Sequence, residues 1–574
     1  MSRSGSSSPS EPTHYTFKVT GKVWQIVGEL RSQLLASGSW MQTTREDQPA
    51  HLLLADRGRV NFARDMLAHR APSTPPRFAP YADPLKSSLC MCNVYRGCND
   101  LTNKSALVKT MRQWVKERGL SPVQIEYLPT TFVLRPGDAN DERNMFLEEF
   151  KRTEEAQEAA AAAAASAAAS SAAASSSSAA VAAAVPPRSK NVWIAKANRG
   201  AKGSDIFVSD DAQKLIAYID AQRANEALTA AENSNDAIDA AMPASSASPP
   251  LSGAASAAVA AIDLPASAAA SSAVAAPAAG SISARAPPLR SRLGSASSLR
   301  SGGAPTSRPG VKGLAAAASN SWVLQRYLSS PFLLSGRKFD IRCWALLDSS
   351  YRIYLYRNGV ARTSSTPFTL DNLSDQFVHL TNHCIQTAHP DYATQEEGNE
   401  LFFPELQKYL ETLPTPPPPG SPLPPHPLCV ICHLLPQLRH VVRETLMSVR
   451  PRMESSGDYH SFQLFGYDLM LDSAFHVRLL EINATPASAQ KTLSGLVAHL
   501  KERAIDTVYP DQRAQQPDAK TPAAALQKDA SFDASSILSQ PCHCAPMLAS
   551  LQMTRAEYLS PPADRRVNLF DLIG

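Results

Sequence analysis

In Lys338-Phe339-Asp340-Ile341-Arg342 charged and apolar side chains alternate. In an extended strand residues 338, 340 and 342 share one face, while Phe339, Ile341 and Cys343 share the other. The apolar set predicts a core-facing side. The three charges then need solvent, one another or a charged ligand, so a salt-bridge ladder and a ligand site both fit the pattern. A second constellation lies in Phe465-Gly466-Tyr467-Asp468 and Leu480-Glu481-Ile482-Asn483, two strand-like runs joined by a short turn near Ser473 to Phe475. A hairpin of this kind sets Asp468 almost opposite Glu481. Paired acids repel, and a divalent, oxygen-seeking cation relieves that repulsion. Asn483 shares the face of Glu481 and adds a neutral oxygen suited to Mg²⁺. A bare cross-strand carboxylate pair with one raised pKa is the alternative.

The elements that must position these groups are read from periodicity. Tyr15 to Val19 alternates as a strand, and Val23 to Ala36 carries a helical apolar stripe, an α/β opening. Leu107, Met111, Trp114 and Val115 predict a helix with Lys104, Lys109 and Arg112 on or near its polar side. Asn191 to Lys196 and Ile206 to Val208 read as a hairpin around the basic, Gly-containing loop Asn198 to Gly203, and Leu215, Ile216 and Ile219 as a short helix after it. Strands follow at Trp322 to Arg326, Asp340 to Leu347, Arg352 to Tyr356, Leu464 to Leu471 and Val477 to Ile482, with a helix over Leu438 to Val449. A basic loop, a Lys/Asp/Arg strand face and an acidic hairpin together suit nucleotide phosphates with their metal. At these places the chain has neither G-x-x-x-x-G-K-[ST] nor G-x-G-x-x-G, which disfavours P-loop, protein-kinase and dinucleotide-binding folds.

Composition sets the limits. The 574 residues leave room for roughly three or four average domains. Ala, Ser and Pro dominate 154–187, 221–318 and 414–427, where apolar residues able to build a core nearly vanish. These blocks read as disordered insertions within one catalytic domain, because lengthening a surface loop costs entropy only logarithmically. A net charge of +4 is too small to argue for nucleic acid, and no run of about twenty strongly apolar residues predicts a membrane span. The nine cysteines are irregularly spaced and follow no apolar leader, which predicts a reducing compartment and a soluble, cytoplasmic protein.

Longer strings carry a resemblance. NVWIAK and GAKG within 191–203, WVLQRYL at 322–328, RKFDIRCW at 337–344, IYLYRNGVART at 353–363, HLTNHCIQ at 379–386, SFQLFGYDLM at 461–470 and LLEINATPASAQK at 479–491 resemble the tubulin-tyrosine ligase family. YTF at 15–17, LLASGSW at 34–40 and KSALVK at 104–109 agree, so the likeness covers nearly all non-repetitive sequence to about Pro510.

The resemblance implies an α/β chain with an ATP-grasp fold, ATP held between antiparallel sheets. It implies a tubulin-recognition domain at 13–120, a ligase domain at 121–510 and a mostly disordered tail at 511–574. The implied reaction adds free tyrosine to the terminal glutamate of α-tubulin, within the α/β dimer, through an acylphosphate that supplies the leaving group a carboxylate lacks. Glutamylation or glycylation is the alternative within the family, and non-catalytic tubulin binding a third. ATP and Mg²⁺ are the implied cofactors, and a monomer associated with the cytoskeleton is expected. By the same likeness Lys196 and Lys338 hold phosphates, Gln325, Arg326, Tyr327 and Leu328 line the adenine pocket, and Asp340 belongs to the nucleotide site. Arg342 and Arg362 steady the transferring phosphoryl or orient carboxylates, Asp468, Glu481 and Asn483 bind Mg²⁺, and Arg57, Arg59 and Lys104 meet tubulin. Arg326 stands where the family commonly has Lys, and Ser204-Asp205 where Glu-Gly is usual.

Cys429-Val-Ile-Cys432-His433 fits a haem-attachment string, and Cys542-His543-Cys544 a partial zinc site. The first string lies just before a helix inside the ligase resemblance, and neither Cys542-His543-Cys544 nor Cys90, Cys92 and Cys98 has a second pair at finger-like spacing, so the cysteines are expected to be free thiols.

Overall fold

The structure is a computed structural model and describes the chain apart from residues 1–12, 45–48, 57–59, 68–69, 122–124, 175–189, 199–202, 204, 240–320, 454–456, 511–531 and 562–566. It is a mixed α/β fold with one parallel and two antiparallel sheets. The chain enters through β1 (Tyr15–Thr20), β2 (Trp40–Gln42), β3 (Leu52–Ala55) and β4 (Met91–Cys92), all parallel, with β1 between β2 and β3. The Gln25–Ala36 helix buries Ile26, Val27, Leu30 and Leu34, the stripe its periodicity predicts.

A four-stranded antiparallel sheet follows, from β5 (Thr131–Leu134), β6 (Trp193–Ala197), β7 (Ile206–Ser209) and β8 (Trp322–Arg326) in the order β5-β8-β6-β7. Helices Arg143–Ala174 and Ala212–Asp239 flank it, and Phe146, Phe150, Leu215 and Ile219 share a core with Trp193 and Trp322. Both helices run into segments expected to be disordered. Once their first turns are fixed by packing on the sheet, Ala-rich sequence extends a helix at little cost. Residues 175–187 and 240–318 of those insertions lie outside the described residues.

The largest sheet is built on β9 (Arg337–Leu347), eleven residues long and buried throughout. Its C-terminal half pairs with β10 (Ile353–Tyr356) and its N-terminal half with β11 (Val360–Pro367), to which β12 (Glu400–Phe402) adds. Two residues of β13 (His460–Ser461) join β4 of the first sheet. Then β14 (Gln463–Leu471) pairs with the other edge of β9 and forms a hairpin with β15 (Val477–Asn483). Finally β16 (Phe570–Leu572) pairs with β10.

One expectation is corrected. The boundary near residue 120 does not separate two bodies: Met1–Asn225 and Ala315–Gly574 form one compact unit. Tyr15, Phe17 and Leu30 share a core with Trp344, Leu496 and Phe570, and a separate domain could not leave that apolar surface open. The tail carries regular structure among its described residues. Helices Ala534–Ser539, Ala545–Leu551 and Arg555–Leu559 precede β16, and Asp571 accepts hydrogen bonds from Arg357 and Arg439. Residues 414–427 carry no regular element. The second unit, Glu226–Leu314, is described only over 226–239, the end of its helix. No described helix is long and apolar enough to cross a membrane.

Candidate functional site: a charged cavity between two antiparallel sheets

A cavity of about 420 Å³ is lined from one side by Ile194, Lys196, Gln325 and Tyr327 of the four-stranded sheet and its exit. From the other it is lined by Lys338, Asp340, Arg362, Asp468 and Glu481 of the β9 sheet. The alternation read in Lys338 to Arg342 holds, since Phe339, Ile341 and Cys343 join the main core while the charged set faces the other way.

Register explains the arrangement of charges. Arg362 stands opposite Asp340 across β11 and β9, and Asp468 opposite Arg342 across β14 and β9. Glu481 stands opposite Asp468 across the hairpin, as its sequence predicts. Arg342 grips Asp468 with two parallel hydrogen bonds, Nε to Oδ1 at 2.5 Å and Nη2 to Oδ2 at 2.9 Å. Arg362 donates to Asp340 and also approaches Asp468 at 3.1 Å. Burial alone would raise the Asp468 carboxyl, but Arg342 and Arg362 outweigh it and hold the pKa well below the usual range. For Arg362 burial alone would favour losing the proton, and Asp340 and Asp468 reverse that, so its pKa moves up. The two acids of this hairpin therefore do not stand as a bare carboxylate pair. Each acid meets a cation first, and Lys104 lies 3.3 Å from Glu481. Gly466 makes room for Pro486, whose Cβ would lie 2.6 Å from a Cβ added there, next to the Arg342 side chain.

The lysines differ. Lys196 donates to Gln325 Oε1 at 2.9 Å, and Lys338 to Tyr327 Oη at 3.0 Å and to the His379 carbonyl at 2.6 Å. Burial pushes Lys196 down to about 8. It pushes Lys338 down to about 7, helped by repulsion from Lys196. His379 Nδ1 lies 2.8 Å from the Tyr327 hydroxyl and Nε2 2.9 Å from the Asn372 carbonyl. The tautomer that satisfies both carries its proton on Nε2, so the tyrosine donates to Nδ1 and leaves its lone pairs for Lys338. Burial lowers the His379 pKa, which favours that neutral ring. Lys338 and Tyr327 of this relay belong to the sequence-derived site, whereas His379 and the Thr381 hydroxyl on Asp340 stand outside it. The HLTNH string was their only sequence signal.

The remaining sequence candidates fall as follows. Gln325, Arg326, Tyr327 and Leu328 all border the cavity. Arg326 also turns outward, to Glu149 at 2.7 Å and over the Trp193 ring. Lys104, expected on a tubulin-facing surface, lines the cavity beside Glu481 with its side chain 15% exposed. This placement follows from the Lys104–Arg118 helix starting at the cavity rim. Arg57, Arg59 and Ser204 lie outside the described residues, as does most of the 198–203 loop.

The donor set suits a hard cation. Asp468, Glu481 and Asn483 converge, with Asn483 Nδ2 3.1 Å from Asp468 Oδ2 and 3.4 Å from Glu481 Oε1. Turning that amide over brings its oxygen to the same point, giving three oxygen ligands of the kind Mg²⁺ prefers.

These features define a mixed α/β protein with a buried, highly charged cavity between its two antiparallel sheets. Over residues 84–517 the chain matches the model of the tubulin-tyrosine ligase family, and it belongs to that family. Among curated relatives, "Probable tubulin polyglutamylase TTLL9" of Bos taurus is 36% identical over 169 residues, 29% of this chain and 33% of that protein. "Probable tubulin polyglutamylase ttll-9" of Caenorhabditis elegans is 31% identical over 168 residues, 29% of this chain and 37% of that protein. "Probable alpha-tubulin polyglutamylase Ttll1" of Tetrahymena thermophila is 30% identical over 195 residues, 33% of this chain and 43% of that protein. The matched segments thus span well under half of these relatives. Their names carry glutamate rather than tyrosine, which favours the alternative stated for the sequence over tyrosination.

Proposed function

We propose that this chain is an ATP- and Mg²⁺-dependent ligase of the ATP-grasp type that joins glutamate to tubulin. The observation that supports nucleotide use most directly is the pair of buried lysines, Lys196 and Lys338, neither ion-paired among the described residues and both facing a cavity ringed by acids and arginines. A polyphosphate supplies the negative charge these ammonium groups lack. The acidic hairpin opposite them suits the accompanying metal, whose part is to neutralise phosphate charge and polarise the transferring group.

The chain's own groups do the rest. Lys196 and Lys338 hold phosphates from the two sheets. Lys338 is fixed by Tyr327 and His379, so its ammonium group needs little reorganisation when an anion arrives. Arg362 borders the cavity with its fork braced on Asp340, where it can face the oxygens of a transferring phosphoryl or an acceptor carboxylate. Phosphorylating that carboxylate creates the leaving group that an incoming amine displaces. Gln325 to Leu328 and the apolar side chains Ile194, Leu380 and Met470 offer the adenine a partly apolar slot.

The choice of glutamate rests on the relatives' names, while the sequence strings resembling the tyrosine ligase favour tyrosine. Incubating the protein with ATP, Mg²⁺ and tubulin, with labelled glutamate, tyrosine and glycine in separate reactions, decides between them. Glutamate incorporation is expected. Tyrosine incorporation alone would replace the substrate but keep the mechanism, and ATP-independent binding without incorporation would overturn the ligase reading.

A further inference from the structure

Four cysteines that look unrelated in sequence meet in space. Cys429 and Cys432 precede the Leu435–Met453 helix, and Cys542 and Cys544 lie between the two short helices Ala534–Ser539 and Ala545–Leu551 of the tail. Their four sulfurs all lie within 4.8 Å of one another, and three of the four residues are buried. The Sγ atoms of Cys429 and Cys544 are 3.9 Å apart, those of Cys432 and Cys542 3.7 Å, and those of Cys542 and Cys544 3.4 Å. A tetrahedral zinc site with Zn–S bonds of about 2.3 Å has sulfur–sulfur edges of about 3.8 Å. A disulfide needs about 2.05 Å, and all four residues are free.

A second observation points the same way. Arg555, held by Glu411 at 2.9 Å, directs Nη2 at Cys542 Sγ, 3.3 Å away, and Nε at Cys544 Sγ, 3.5 Å away. A guanidinium on two sulfurs is poorly used by neutral thiols and well used by thiolates. It offsets part of the double negative charge that four thiolates leave around a divalent ion. His433, the tempting fifth ligand of the Cys-x-x-Cys-His string, is already engaged: Nδ1 accepts the Cys429 backbone N–H at 2.9 Å and Nε2 donates to the Gln540 carbonyl at 2.9 Å.

We propose that Cys429, Cys432, Cys542 and Cys544 form a closed, structural zinc site that clasps the C-terminal segment to the ligase body. Four thiols bind one Zn²⁺ and release four protons to solvent, with no change of oxidation state. Four protein ligands leave no open position, so the site has no catalytic role. Cys542 and Cys544 lie beyond the residues matched by the family model, and the clasp fastens the segment that delivers β16 to the edge of the β9 sheet. All-sulfur tetrahedral ligation also suits iron, which the test separates.

Metal analysis of the full chain, purified without chelator, should find about one zinc per molecule. A mercurial reagent should release it, and Co²⁺ in its place should give intense thiolate-to-cobalt absorption and tetrahedral visible bands. Cys542→Ser/Cys544→Ser should lose at least about ten-fold in zinc content, while Cys384→Ser, at an exposed cysteine elsewhere, keeps it. If the double variant fails to fold, the cobalt spectrum of the unaltered chain still decides. Zinc-free protein that takes up no cobalt, a Cys429–Cys544 disulfide in peptide mass spectra, or iron in place of zinc would each overturn the proposal.

Discussion

At one end of the site Lys196 and Lys338 line the cavity and bury ammonium groups against neutral oxygens, and at the other Arg362 on the cavity wall and Arg342 behind it lie on Asp340 and Asp468. Both ends are cationic and buried, but the consequences differ. The arginines are held by carboxylates directly opposite on neighbouring strands, so their charge is settled within the fold. Among the described residues the lysines have no such partner, and burial drives their pKa values down. A protein keeps an uncompensated buried charge where a ligand will complete it. Under the proposed function the lysine end is the anion receptor, and the arginine end is a braced surface whose geometry is set beforehand.

The contrast can be broken in several ways, the largest expected effect first. Glu481→Gln should lower the rate of ligation at least about 100-fold while moving stability by no more than about 0.5 kcal/mol, read by labelled amino-acid incorporation and thermal melts. Full activity in that variant would remove Glu481 from the metal site. Arg362→Met leaves Asp340 without its cation and should cost about 3–5 kcal/mol in urea denaturation. Lys338→Met removes an uncompensated charge, and it should leave the ligand-free protein at least as stable while abolishing nucleotide binding. A large loss from Lys338→Met would put both ends in the same class.

Proton linkage sharpens the same point. The folded Lys338 titrates near about 7 against 10.5 when unperturbed. Between those values the unfolded chain holds the extra proton, so this group makes stability rise with pH from about 7, and below that the full cost of burying its charge is present and constant. Buried tyrosines such as Tyr127, raised by burial, oppose this only above their ordinary value of 10.0. Saturating nucleotide should cancel the slope and take up on the order of one proton near pH 8, measured by calorimetry in two buffers of different ionisation enthalpy. Absence of uptake would show ordinary lysines. The smallest effect is expected from deleting 240–309, which should change turnover less than about two-fold, since its Ala/Ser/Pro composition predicts a connection whose length matters only logarithmically to entropy.

The chemistry-bearing face of β9 was legible because a strand's side-chain period is two, whatever the sheet around it. The opposition of Asp468 and Glu481 was legible because a short turn fixes hairpin register. Reading failed where partners are distant in sequence. Asp468 was expected to repel Glu481, but it is neutralised by Arg342, 126 positions away, through the pairing of β14 with β9. Lys104 was assigned to a surface because helical periodicity gives its face but not what the end of the helix touches. The insertion at 154–187 and the tail were judged by composition, which does not report a helix nucleated on a neighbouring sheet or a strand added to its edge.

By itself the sequence determined the local terms: which residues alternate, which stripes turn inward, which strings resemble a ligase family, and hence the class of chemistry. Only the tertiary structure decided which charges neutralise one another, which two lysines remain open to an anion, and that two dismissed cysteine pairs share one point in space. The reason is physical. Backbone periodicity is set within a few residues, whereas Coulomb and coordination energies depend on distances that only long-range strand register and packing create.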